Sequence, residues 1–278
     1  MQSRFDFSRI GSGPARAAIG LARAAIGLAR AAIGPAACLA AALAASQEHG
    51  GPDSPGGPEA EFHMARMKYA TVGGGGSRGY FMPWWKIDYP EAELNFLPAL
   101  ERSTRLSVAS DSRHLWLTDE RIFDFPWLLA QQVGRGDWRP TELEAANLEE
   151  YLLRGGFLVV DDFHGDYEWR LFESAIMRVL PGRRIVEIPD DDAVLHVLYD
   201  LDKSTQIPGE RHLRWRRMEG PPHWRGIYDD EGRLMVAINH NIDMGDAWEH
   251  ADDPYYPLPM TAMAYRFGIN YVIYAMTH

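Results

Sequence analysis

The stretch Thr141–Leu180 reads TELEAANLEEYLLRGGFLVVDDFHGDYEWRLFESAIMRVL. Its first part, Thr141–Arg154, has the marks of a helix. Thr141 is an N-cap answered by Glu144, the residues Leu143, Leu148, Leu152 and Leu153 line one side, and Gly155 stops it. Phe157–Val160 is a continuous apolar run of the kind buried on both faces of a sheet. Asp166–Leu180 resumes a helical period, with Trp169, Phe172, Ile176 and Val179 on one face. Helix, doubly buried strand, helix is the unit of a parallel sheet held between two helical layers.

Working outward, Phe62–Thr71 alternates apolar and polar residues and reads as a strand, broken by Gly73–Gly76. Tyr89–Ser103 has Leu94, Leu97 and Leu100 at helical spacing, with Pro98 to weaken or kink it. His114–Thr118 is a short strand, and Arg121–Gln132 is apolar but ambiguous around Pro126. Arg184–Ile188 reads as a strand, Ala193–Tyr199 as a short helix, and Leu201–His223 as a long, Arg-rich irregular excursion. Arg225–Tyr228 and Arg233–Ile238 are strands about the turn Asp229–Gly232, and Met260–Met276 is a final apolar helix. The expected fold class is α/β: a three-layer sandwich with a mainly parallel sheet, formed by residues 62–278 as a single domain.

The segment before it has a different character. ARAAIGL at Ala15–Leu21 recurs at Ala22–Leu28 and again, as ARAAIGP, at Ala29–Pro35. Five arginines with one acid, then the apolar run Ile33–Ala45 and the small-x-small pattern Ala42-Leu43-Ala44, resemble a secretory signal over residues 1–46. The apolar run is too short to cross a bilayer, so no transmembrane helix is expected. Residues 47–61 are rich in Gly, Pro and acid and read as a disordered spacer. The expectation is an exported, periplasmic protein; a mis-called start codon would instead leave it cytoplasmic.

Composition narrows the partners. With 28 Lys+Arg against 39 Asp+Glu the chain is acidic, which argues against nucleic acid or an anionic membrane surface. Arg211, Arg214, Arg216, Arg217 and Arg225 form a local basic patch that either pairs with acidic segments or meets a partner. Eight tryptophans outside the predicted helices invite a glycan-stacking reading, against the commoner one of core packing.

Ligands of such sheets gather beyond the carboxyl ends of the strands. That rule selects Asp161-Asp162-Phe163-His164, Thr118-Asp119, and Asn239-His240-Asn241 with Asp243 beyond it, in the donor-rich stretch Asn239–Glu249 (NHNIDMGDAWE). Asp161, Asp162 and His164 are the catalytic candidates, because two carboxylates and an imidazole suit a divalent metal or acid–base work. The bland alternative makes Asp162 or Asp166 a helix cap and His164 a solvated loop residue. His240, Asn241, Asp243, Asp246, Trp248 and Glu249, with Asp119, are the ligand-binding candidates, on what reads as a loop extended by His250, Asp252 and Asp253. Its spacing fits neither an EF-hand nor a zinc helix. Gly73–Gly79 lacks the GK[ST] ending of a phosphate loop and reads as a mobile lip beside Trp84 and Trp85. No GxSxG elbow is present.

RMKY at Arg66–Tyr69, DYPEAELNF at Asp88–Phe96, LRGGFLVVDD at Leu153–Asp162, GDAWE at Gly245–Glu249 and INYVIYAMTH at Ile269–His278 together resemble the bacterial domain of unknown function 4159 family (DUF4159). The resemblance implies a class I glutamine amidotransferase-like, flavodoxin-like fold and a bacterial envelope setting. Those enzymes use a cysteine nucleophile, and no cysteine follows Cys38 here, so thiolate catalysis is excluded for residues 62–278. The leading expectation is a domain without that chemistry that binds a polar small molecule, glycan or envelope protein. The alternative is a metal-assisted hydrolase acting on an envelope glycan or related polar substrate through Asp161, Asp162, His164 and His240. The two separate on whether Asp161, His164, His240 and Asp243 share one pocket.

Overall fold

Phe157–Val160 forms the middle of a strand that runs to Phe163, and all seven of its residues are buried. This follows from its place in a computed structural model that describes residues 60–75 and 81–278. Residues 1–46 and nearly all of the 47–61 spacer lie outside the described residues, as does most of the glycine lip. Among the described residues one sheet has seven strands: β1 (Ala65–Lys68), β2 (Arg113–Trp116), β3 (Trp127–Gln131), β4 (Phe157–Phe163), β5 (Val186–Glu187), β6 (His223–Tyr228) and β7 (Leu234–His240). The helices are α1 (Glu91–Thr104), α2 (Glu142–Leu153), α3 (Gly165–Val179), α4 (Glu210–Arg214), α5 (Met244–Glu249) and α6 (Leu258–Thr277).

The spatial order is β2-β1-β3-β4-β7-β6-β5. The first five strands pair in parallel, whereas β6 runs antiparallel to both β7 and β5. This is a flavodoxin-like order extended by an antiparallel edge, and the chain changes direction of travel between β1 and β3. A crevice is expected there, at the carboxyl ends of the parallel strands.

Period-two alternation divides the strand residues between two cores. Trp127, Leu129, Phe157, Val159 and Ala237 meet α1, α5 and α6. Leu128, Ala130, Leu158, Val160, Val236 and Ile238 meet α2 and α3. The mainly parallel α/β sandwich expected from the sequence is therefore the fold. Among the described residues no helix is long and apolar enough to cross a membrane.

Local signals act where the sequence placed them. Thr141 and Glu144 form a reciprocal capping box on α2. Pro98 sits inside α1, which runs through it. Three expectations need correction. Arg184–Ile188 pairs only over Val186–Glu187, at the sheet edge, and Ala193–Tyr199 shortens to a 3-10 turn at Ala193–Leu195. The supposed loop Asn239–Glu249 begins as the end of β7 (Asn239, His240) and finishes as α5 (Met244–Glu249), which Asp243 caps by accepting the Asp246 N–H at 2.9 Å.

One core carries a buried ion pair. Arg66 of β1 is fully enclosed and grips Glu93 of α1 through two parallel bonds, at 2.5 and 3.0 Å, while a third donor reaches the Ile87 carbonyl at 2.6 Å. The bond to Ile87 anchors the loop that delivers Asp88. Breaking a buried pair strands a charge, whereas replacing both partners does not. Arg66→Met alone should cost about 3–5 kcal/mol in urea unfolding, and adding Glu93→Leu should restore most of it. A single variant within about 1 kcal/mol of the parent would refute this role for the pair.

Candidate functional site

Three neighbouring parallel strands leave the sheet through a left-handed residue: Gln132 after β3 (φ 53°), Asp162 within β4 (φ 56°) and Asn241 after β7 (φ 60°). Side chains with a Cβ pay for this conformation, and it recurs where geometry serves a site. Asp162 is the clearest case. The register against β7 shifts between Val160 and Phe163, so Asp162 is turned out of the alternation to face the crevice. Asp161, one position earlier, keeps its place in the sheet and points into the other core.

The two adjacent aspartates therefore have different duties. Asp161 is fully buried and accepts from the Met244 and Gly245 N–H groups at 2.8 and 3.0 Å and from the Asn239 amide at 3.1 Å. It ties β4 and β7 to the start of α5 and lines no part of the cleft. Asp162 lies 3.2 Å from His164 Nε2 and accepts from the Gln132 side-chain amide. Neither Asp162 nor Asp166 caps α3. That helix is started by His164, whose N–H goes to Glu168 at 2.8 Å, while the Gly165 N–H goes to Asn241 at 2.9 Å. His164 is buried rather than solvated.

A cleft of about 540 Å³ opens over these strand ends. Asp162, His164 and Asp243 converge in it, one donor atom from each lying within 4.8 Å of the others. Asp246, Glu249 and His250 make a second such group, also on the cleft wall. Asp88, from the loop after β1, and Gln132, Glu168 and His212 complete the inner wall. Gly209 packs so tightly on the Asp243 and Asp246 carboxylates that a Cβ would not fit.

Several buried groups here lack a hydrogen-bond partner among the described residues: Asp88 Oδ2, Gln132 Oε1, His164 Nδ1 and both ring nitrogens of His212. Burial, together with the charges of Asp246, Asp162 and Glu249, pushes the Asp88 carboxyl well up. Burial and the charges of Asp162 and Asp246 do the same to Asp243. Asp246 is raised to about 7, by burial and then by Asp162. His212 is pushed down to about 4 by burial and by His164, whose ring centre is 4.4 Å away. A concentration of carboxylates, unpartnered acceptors and imidazoles is suited to a hard or borderline divalent cation.

The other candidates fall elsewhere. His240 lies behind the cleft, its Nε2 3.1 Å from the Gly165 carbonyl oxygen. Asn241 braces α3 and the excursion, donating to the Pro221 carbonyl at 2.9 Å. Trp248 is fully enclosed and stacks on Phe96 at 4.3 Å between ring centres. Asp119 caps the 3-10 turn Glu120–Asp124 and pairs with Arg121 at 2.8 Å, away from the cleft. Trp127, Trp138 and Trp224 are also core residues; Trp84 is the tryptophan on the cleft wall, with the Arg135 guanidinium 4.4 Å above its ring. Within the basic patch, Arg214 pairs with Asp253 at 3.1 Å and Arg225 with Glu187 at 2.8 Å, while Arg211 and Arg216 border the cleft.

Asp88, Gln132 and His212 were not singled out from the sequence. Asp88 does open the DYPEAELNF stretch, and its positive φ of 64° is the signature of a constrained turn. His212 sits among arginines in the excursion, with nothing local to mark it.

Fold and site together define a class: a three-layer α/β domain with a carboxylate-walled cleft at the carboxyl edge of its parallel strands. The chain belongs to the DUF4159 family, described as a domain of unknown function, which matches residues 63–276. No curated protein matches the sequence.

The electrostatics predict a pH dependence. Unfolded carboxylates titrate near about 4 and unfolded histidines near about 6.5. Asp88, Asp243 and Asp246 hold protons to higher pH when folded, so their contribution is present at low pH and lost as pH rises through the folded values. His212 and His240 oppose this only below about 6.5, since above it they are neutral in both states. The Tm of chelator-treated protein should therefore fall between about pH 6.5 and 8.5, and Asp88→Asn should flatten the fall. A rising Tm over that interval would contradict the charge arrangement.

Proposed function

We propose that the domain is a metal-assisted hydrolase of a polar substrate, with a divalent cation held by Asp162, His164 and Asp243. The observation that carries this is the convergence of those three buried side chains, with donor atoms within 4.8 Å, in an open cleft at the strand ends. Their origin in two different strand-end segments, β4 and the start of α5, argues for a site assembled by the fold rather than a local acidic turn. The four residues expected to separate the two readings do not share one pocket. His164 and Asp243 line the cleft, whereas Asp161 and His240 lie behind it. A hydrolase with Asp161 and His240 as working residues therefore fails, and the present proposal rests on Asp162, His164 and Asp243 instead.

The chemistry fits the residues present. A divalent cation held by Asp162, His164 and Asp243 would supply Lewis-acid chemistry, making a coordinated water more acidic and polarising a substrate oxygen. Hydrolysis then joins the water oxygen to the electrophilic centre, breaks the bond to the leaving group, and passes the water proton to that group. His212, neutral above about pH 4 and beside His164, is placed to carry the proton. The guanidiniums of Arg135 and Arg211 on the cleft wall favour a substrate that bears negative charge. An envelope location, and a glycan or related envelope substrate, rest on the character of residues 1–46.

Two measurements separate this reading from a binding domain without chemistry. Mn²⁺, Zn²⁺ or Mg²⁺ should raise the Tm of chelator-treated protein by several degrees, and Asp162→Asn or Asp243→Asn should abolish the rise. With a panel of chromogenic phosphate, ester and glycoside substrates, turnover should require the cation, and His212→Ala should lower kcat about 100-fold or more without weakening cation binding. Absence of any shift with all three cations would overturn the cation site. A cation shift without turnover on an extended panel would leave a cation-dependent binding domain.

A further inference from the structure

The cation site accounts for carboxylates of the cleft but not for its arginines. Arg135 and Arg211 both line the cavity of about 540 Å³, and among the described residues neither guanidinium is paired with a carboxylate. Arg214 and Arg216, neighbours of Arg211 on the excursion, are paired, with Asp253 at 3.1 Å and Glu219 at 3.7 Å. We propose that Arg135, with Arg211, forms a phosphoryl-recognition site, so that the substrate of the cleft is a phosphate monoester; this rests on the cation site proposed above, which would meet the same phosphoryl group.

The loop that carries Arg135 is fixed from both sides. It leaves β3 through the left-handed Gln132 and continues as Gly134-Arg135-Gly136. A Cβ at Gly134 would meet the Glu168 carbonyl oxygen at 2.6 Å, and one at Gly136 would meet the Tyr69 hydroxyl at 2.5 Å. Only glycine lets the loop lie this close to α3 and to Tyr69. Main-chain bonds hold it as well. The Gly136 N–H donates to the Gln132 carbonyl at 2.7 Å, the Trp138 N–H to the Val133 carbonyl at 3.1 Å, and the Val72 N–H to the Gly136 carbonyl at 3.0 Å.

The Arg135 guanidinium then lies 4.4 Å above the ring of Trp84, which is itself buried. Stacking covers one face of a guanidinium and leaves its N–H edges available. Glu168, whose backbone the loop touches, turns its carboxylate to the His164 N–H at 2.8 Å instead. Arg135 is therefore held before any ligand arrives, which reduces the ordering that binding requires.

A phosphoryl group matches these neighbours. It presents three oxygens besides the one to the leaving group, enough for a guanidinium fork and a cation together, whereas a carboxylate has two and the fork takes both. An uncharged glycan would leave Arg135 without a partner. Hydrolysis joins the water oxygen to phosphorus and breaks the P–O bond to the leaving alcohol, which takes the proton that the water loses. The products are the alcohol and inorganic phosphate, and Arg135 stays protonated throughout.

Titration calorimetry of the full chain with inorganic phosphate, first chelator-treated and then with saturating Mg²⁺, tests this without any turnover. Phosphate should bind at least about tenfold more tightly with Mg²⁺, and Arg135→Ala should weaken that binding at least about tenfold. Arg135→Lys, which keeps the charge and loses the fork, should recover only part of the loss. Arg211→Ala, at an exposed position, should weaken phosphate several-fold, and circular dichroism confirms that the variants fold. Acetate should bind at least about tenfold more weakly than phosphate. Phosphate that binds in neither state, or equally to parent, Arg135→Ala and Arg211→Ala, or no better than acetate, would overturn the phosphoryl site; a Tm still raised by Mg²⁺ would leave the cation site standing. Phosphate binding that needs Arg135 but ignores Mg²⁺ would uphold the arginine site and overturn the cation site.

Discussion

A single fully buried carboxylate joins the parts on which the cleft depends. Asp161 ends the alternating part of β4 and receives the first N–H groups of α5 together with the Asn239 amide. Asn239 is itself held by the Tyr271 hydroxyl of α6 at 2.9 Å. Two strands and two helices therefore meet in one hydrogen-bonded chain with almost no solvent access. Burial and Asp162 push the Asp161 carboxyl up, while its three donors favour the ionised form and hold it down. The donors recover much of the cost of enclosing it, and the geometry they impose fixes where Asp243 and Asp246 point.

From that joint the site follows in steps. β4 can extend past Asp161 only by turning out of register, and the turn exposes Asp162 to the cleft. Capping of α5 by Asp243 holds that residue in the cleft with Asp162 and His164. Arg66, by gripping Glu93 and the Ile87 carbonyl, sets the loop that brings Asp88 to the opposite wall. The outcome is a set of carboxylates that raise one another's pKa. Such an arrangement is poor for the stability of the empty domain and suited to a ligand of opposite charge.

Much of this was legible before any coordinates. The apolar run FLVV, the Thr141–Glu144 cap and the helical period after Asp166 specify a central parallel strand between helices. The rule about strand ends then leads to Asp161–His164 and to Asn239–Asn241 with Asp243, and also to Thr118-Asp119, which lies away from the cleft. What stayed hidden has identifiable physical causes. Period-two alternation would send Asp162 to the face opposite Asp161, but only the bulge says that it reaches the cleft. Asp243 looks like a loop residue until its partners at Asp161 and Asp246 make a helix begin there. Asp88 and His212 come from segments far apart in sequence, and no spacing relates them to β4. The tryptophans mislead in the other direction, since several of the ones that suggest stacking on a sugar are in the core, Trp127, Trp224 and Trp248 among them.

The central claim is that the fold assembles a cation site at the carboxyl ends of β4 and β7. Anomalous diffraction at the manganese edge, from crystals grown with Mn²⁺, tests it most directly. The account predicts a peak among Asp162, His164 and Asp243, with donor distances of about 2.0–2.6 Å. Well-ordered crystals at saturating Mn²⁺ with no peak in the cleft would contradict it.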